Sequence, residues 1–149
     1  MKFETLNEVI ISLILWITTH TNYPEPKSNI DVEFIDQKEL EIIACGRPCE
    51  IMAYTPNSGK PKIYLVKELD PLKDVCHQAI LMHEIIHVIQ EENEFASEFD
   101  ERTKKHMREM NALVNHNIFL SQYGKKILYS NGFAAKFKTD TNNKNSLYC

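Results

Sequence analysis

Residues 80–90 read ILMHEIIHVIQ, an apolar run interrupted only by two imidazoles, one carboxylate and a closing glutamine. Residues four apart on a helix are neighbours, with Cβ atoms roughly 5–6 Å apart. In a helix, therefore, His83 and His87 can converge on one ion. Zinc suits such a pair, with Zn–N bonds of about 2.0–2.1 Å. Glu84 projects beside them and cannot easily turn back as a third ligand from the same turn. It can accept a proton from a water, which is the work of a general base. The bland alternative is a chance motif, with two core histidines and a surface glutamate. It fits poorly, because the apolar surround offers Glu84 no polar face and burying such groups unpartnered is costly.

A catalytic zinc site takes three protein ligands and a water. The later candidates for the third are Glu91, Glu92, Glu94, Glu98, Asp100, Glu101, His106, Glu109 and His116. The first few lie too close along the chain and read as a solvated acidic helix end. Glu109 stands 22 residues beyond His87, among Met110, Leu113, Val114, Ile118 and Leu120. A helix returning antiparallel from Gln90 would carry Glu109 past the histidine pair. The competing role for Glu109 is a surface ion pair with Lys105, four residues earlier. The competing ligands are His106 and His116, either of which would give a three-histidine site. His116, two turns past Glu109 on the same face, can orient a ligand or donate to an oxyanion. It can equally be a partly exposed helix histidine. Tyr54 and Tyr123 can each polarise a carbonyl, although tyrosines at element ends usually pack. His20 and His77 have no role in this constellation.

HEIIH on a helix preceded by the strand KIYLV resembles the zincin metallopeptidases. The stretch from CGRPCEIMAY through IYLVKELD and LMHEIIHVIQ to REMNALVNH is also similar to small bacterial zincin-like proteins of unassigned function. The likeness spans roughly residues 31–124, and HExxH is its one highly specific element. It implies a zinc-dependent hydrolase acting on a peptide or protein substrate, with a sheet edge beside the active-site helix that binds substrate in extended form. KIYLV is the strand expected to offer that edge. In the gluzincin branch the third ligand is a glutamate on the following helix, in the pattern E-x-x-A, which Glu109 and Ala112 match. The alternative is an inactive zincin-like binding or structural module that retains the metal. Cys76, His106 or His116 would then complete a closed site.

The elements that must position these groups follow from periodicity. Phe3, Leu6, Ile10, Leu13, Ile14 and Ile17 make one face of an amphipathic helix over about 5–19. No positive n-region or small-x-small site accompanies this run, which favours a folded helix over a signal or anchor and leans towards the cytoplasm. Two prolines in NYPEPKSN stop the helix. DVEFI (31–35) reads as a strand, and DQKELEIIA (36–44) as a short helix capped by Asp36. EIMAY (50–54) and KIYLV (62–66) read as strands. Asp70-Pro71 looks like the opening of the HExxH helix. A second long helix is expected over about 97–123, ended by Gly124. The expected fold is α+β, with a three-stranded sheet packed on the N-terminal and HExxH helices and the following long helix closing the site. One domain is expected over 1–138, with a flexible polar tail over 139–149.

Composition bounds the rest. At 149 residues, 43% hydrophobic and 26% charged, the chain can bury a core without staples. Its net charge of −4 and lack of a basic stripe argue against nucleic acid, and no apolar run is long enough for stable membrane insertion. Four cysteines make no evident disulfide scaffold. Cys45 and Cys49 enclose a GRP turn and are expected reduced, although a bridge across the turn is chemically open. Cys76 and Cys149 do not complete a zinc finger with them.

Overall fold

The N-terminal helix, α1 (Leu6–His20), starts where the Thr5 side chain accepts the Glu8 N–H at 3.2 Å. It buries Val9, Leu13 and Ile17, leans Leu6, Ile10 and Ile14 on the core, and leaves Ile11 and Leu15 exposed. The computed structural model describes residues 2–57, 59–126 and 149. After α1 come β1 (Asp31–Ile35), α2 (Gln37–Cys45), β2 (Ala53–Tyr54), β3 (Lys62–Val66), α3 (Val75–Glu92) and α4 (Glu101–Ser121). The architecture is α+β, with four helices and a small mixed sheet among the described residues. None of these helices is long and apolar enough to cross a membrane.

The sheet corrects one expectation. Its order is β1-β3-β2, so KIYLV is the central strand and has no free edge. β1 pairs parallel to it, Val32 opposite Ile63, after a crossover through α2. β2 pairs antiparallel on the other side, Ala53 opposite Leu65. The burial of Ile63, Leu65 and Val66 fits a strand covered by neighbours. Only Ala53 and Tyr54 of EIMAY are strand, and among the described residues they form an edge of the sheet.

The HExxH helix begins later than Asp70-Pro71. The Asp70 carbonyl accepts from both Lys73 and Asp74 in a preceding turn. The true cap is Asp74, whose carboxylate accepts the N–H groups of Cys76 at 2.8 Å and His77 at 3.4 Å. Every residue from Cys76 to Gln90 except His87 is buried. The burial has a simple cause: α1, α4 and strands β2 and β3 all pack against α3. The first helix therefore lies on α3 rather than beside it on the sheet.

The α3–α4 connection is longer than expected, and α4 starts at Glu101 with Asp100 as its cap. Glu94 and Ala96 take positive φ values of 52° and 62° there. Arg108 holds this loop down by donating to the Phe95 carbonyl and pairing with Glu91. At its other end α4 stops as expected, with Gly124 at φ 69° and the Lys125 N–H returning to the Leu120 carbonyl.

All four cysteines are bonded: Cys45 to Cys49, the chemically open alternative to the expected reduced thiols, and Cys76 to Cys149, a pair not foreseen. Gly46, left-handed at φ 68°, reverses the chain after α2 and brings Cys49 back to Cys45 with Cα atoms 6.5 Å apart. Cys76 joins Cys149, whose N–H also donates to the Lys126 carbonyl. Such bridges persist in oxidising surroundings. The expected tail over 139–149 lies outside the described residues except for Cys149, and so do positions 127–138 of the expected domain.

Candidate metal and catalytic site

Three contacts fix how α3 and α4 lie together. Glu91 meets Arg108, His87 meets Glu109, and His83 meets His116. Numbers fall on one helix as they rise on the other, so the pair is antiparallel. Ala112, fully buried, presents only a methyl group at this interface. The return places the Glu109 carboxylate across both rings: Oε1 lies 3.0 Å from His83 Nε2, and Oε2 lies 3.1 Å from His87 Nε2. The ligand atoms of the three residues all fall within 4.8 Å of one another, a group that could hold a metal ion. Ligands about 2.0–2.1 Å from a tetrahedral ion stand about 3.3 Å apart. The two contacts, made by different Glu109 oxygens, are a little shorter than this and the 4.8 Å limit is longer, so the donors would adjust to close around one ion.

The competing third donors go elsewhere. Glu91 is spent on Arg108, and Glu92 accepts the Lys27 backbone N–H at 2.9 Å, so these are engaged groups and not a solvated acidic end. His106 is exposed and outside the group. His116 is fully buried, which corrects the half-exposed alternative, and its Nδ1 stands 3.2 Å from Nδ1 of His83. Tyr54 lines the cleft in front of the group, whereas Tyr123 packs its ring on Phe119. His20 stacks on Trp16, and His77 accepts the Asp70 N–H, so neither belongs to the site.

Ring orientation is set by partners behind the pair. Gln90, completely buried, donates through Nε2 to the Arg108 carbonyl and to the Tyr23 hydroxyl, both at 3.0 Å. A carbonyl can only accept, so the amide nitrogen must face it and Oε1 must face His87. His87 Nδ1, at 2.8 Å, then carries a proton and donates it. Its Nε2 is left to point at Glu109, and in the neutral ring that atom holds the free lone pair. On the other ring, His83 Nε2 faces Glu109 while its Nδ1 faces His116. If His83 donates, His116 accepts at Nδ1 and keeps its proton on Nε2.

Charge follows the same geometry. Burial opposes an imidazolium at His87, but Glu109, Glu84 and Gln90 outweigh it and push its pKa up to about 9. Burial likewise opposes ionisation of Glu109, yet the two imidazoles hold it well below the usual carboxylate range. Burial first, and then the neighbouring His83, hold His116 well below an ordinary histidine, so it stays neutral. In the metal-free protein an imidazolium–carboxylate pair thus occupies the group.

Glu84 stands apart from that pair. It is buried, and the Thr55 hydroxyl donates to its Oε2 at 2.5 Å. It still lines a cleft of about 450 Å³ together with His87, Glu109, Ile51, Ala53 and Tyr54. Sequence reasoning missed Thr55, Gln90 and Tyr23. Gln90 was within reach of it, being three residues past His87 on a helix. Thr55 and Tyr23 come from segments whose approach to α3 leaves no local signal.

Two consequences are measurable. Removing the acceptor behind His87 in Gln90→Leu should weaken zinc binding about 10- to 100-fold, read by competition titration; unchanged affinity would contradict the orienting role. Metal uptake must also displace the His87 proton wherever that proton is bound. Calorimetry in buffers of different ionisation enthalpy should show about one proton released per ion at neutral pH. The His87 share of that release should be lost as pH rises through about 9, leaving the proton given up by metal-bound water. A pH-independent count would contradict the raised pKa.

No family model, curated protein or solved structure matches this chain. Any functional reading therefore rests on the group and the cleft themselves.

Proposed function

We propose that this protein is a zinc-dependent peptidase of the zincin type, gluzincin-like in its donor set. The observation that carries the reading is the Glu109 carboxylate within hydrogen-bond distance of both histidine Nε2 atoms, while Glu84 opens onto the same cleft uncommitted to them. His83, His87 and Glu109 would hold the ion. Zinc bound there would supply Lewis-acid chemistry, making water acidic near neutral pH and drawing charge onto a carbonyl oxygen.

The remaining steps belong to the chain. Thr55 holds Glu84 Oε2, leaving Oε1 for the attacking water. Glu84 takes a proton from that water as its oxygen bonds to the peptide carbonyl carbon. It then gives the proton to the departing amine as the C–N bond breaks. An extended peptide can add to the edge of β2, whose Ala53 and Tyr54 line the cleft. That assignment replaces KIYLV as the substrate edge.

The rival reading, a closed structural site, needs a fourth protein donor. Cys76 is bonded to Cys149, His106 is exposed, and His116 Nδ1 faces His83. Among the described residues no other donor joins the group, which supports an open position for water. A chance motif in a metal-free core protein would bind no stoichiometric zinc.

Two substitutions test the roles on zinc-loaded protein. Glu84→Gln should retain zinc and lose peptide turnover by about 100-fold or more; full activity would defeat the mechanism. Thr55→Val should lower kcat about 10-fold with zinc content and KM little changed, and Thr55→Ser should restore it. A fall in zinc content together with kcat would mean instead that Thr55 only supports the fold.

A further inference from the structure

Lys105 and Glu109 are spaced to pair along one helix face. They do not pair, because Glu109 is turned to the two imidazoles. This leaves a cation on the wall of the cleft. Of the three cationic residues lining it, Arg108 is tied to Glu91 and the Phe95 carbonyl, and Lys104 to Glu101 at 2.8 Å. Lys105 makes no ion pair or hydrogen bond among the described residues. Glu101 feels its charge, but the Glu101 carboxylate is bonded to Lys104. Of the acids lining the cleft, Glu109 spans the histidines and Glu84 is held through Oε2 by Thr55, so neither pairs with Lys105. The cleft is also lined by the apolar side chains of Ala44, Ile51 and Ala53, alongside Tyr54, Thr55 and Asn57.

We propose that the cleft selects peptides bearing a carboxylate that meets Lys105, with an apolar neighbour against Ile51 and Ala53. The carboxylate can belong to an acidic side chain or to a free C-terminus. The proposal rests on the peptidase reading and names its substrate class. Global charge works against it, since a chain of net charge −4 repels acidic peptides at long range. The preference must therefore come from the local cation. An exposed pair of this kind is modest in strength and weakened by salt, so the expected preference is about 2- to 5-fold.

Four versions of one extended heptapeptide with an apolar centre make the test: blocked at both ends and neutral, blocked with one glutamate before or after the central residue, and neutral with a free C-terminus. Binding is read by fluorescence anisotropy on zinc-loaded Glu84→Gln protein, and cleavage on zinc-loaded wild type. A preference for a glutamate peptide identifies a side-chain carboxylate, and a preference for the free terminus identifies a terminal one. Either preference should collapse to about 1 in Lys105→Gln and shrink in high salt, while Lys38→Gln, an equal charge change outside the cleft, should keep it. Equal binding of all four peptides, or a preference that survives Lys105→Gln, overturns the proposal. Charge-selective binding without cleavage of any peptide would end the peptidase reading and leave the carboxylate site standing. Failure of every peptide to bind overturns both.

Discussion

One carboxylate reaching from α4 to two rings on α3 is the interaction on which the rest of the site depends. Glu109 contacts His83 and His87 with different oxygens, so both helices must hold their register for either contact to survive. The burden on packing is considerable, because His83 is buried and His87 and Glu109 are half-buried against an apolar core. The interface answers with a small residue, Ala112, at the approach and with Arg108 anchoring the loop that joins the helices. In the metal-free state the His87–Glu109 pair satisfies both groups. Its contribution to stability is complete between the ordinary carboxylate pKa of 4.5 and the ordinary histidine pKa of 6.5; it is lost as pH rises through about 9, and declines below 4.5 as Glu109 protonates. A cation entering the group would take over the role of that proton.

Around this contact lies a layer of partners that aims each group. The Arg108 carbonyl fixes the Gln90 amide, the amide fixes the His87 proton, and Tyr23 braces the amide from the other side. His116 backs His83 at the equivalent ring position. Thr55, directly after the edge strand, secures the carboxylate that faces the cleft. One helix thus carries the histidines, the acid and Gln90, while the other orienting residues come from three separate segments. Such division is typical of sites where donor geometry matters more than donor identity.

How much of this was legible in the letters depends on the range of each interaction. The helix around HEIIH, the amphipathic face of α1 and the left-handed stop at Gly124 are local matters, and periodicity and spacing found them. Glu109 was reachable because an antiparallel return is a simple geometric consequence of two long helices. The strand order was not, since KIYLV becomes central only through a parallel crossover that pairing preferences in one segment cannot reveal. The start of α3 was misjudged because two aspartates compete as caps, and Asp74 wins by bonding two amides. The Cys45–Cys49 bridge stayed undecided and Cys76–Cys149 unforeseen because bridging depends on Cα separation, which Gly46 sets at one pair and tertiary packing sets at the other. His116 looked half-exposed in a helix of mixed polarity and proves to be buried against the neighbouring helix.

Zinc K-edge absorption on stoichiometrically loaded protein, joined to an anomalous-difference map of its crystals, is the most direct examination of the site. It should show two imidazole nitrogens and two oxygens at about 2.0–2.1 Å, with one oxygen from Glu109 and the other from solvent. A sphere closed by a fourth protein side chain, or zinc bound with Glu109 turned away from the histidines, would contradict it.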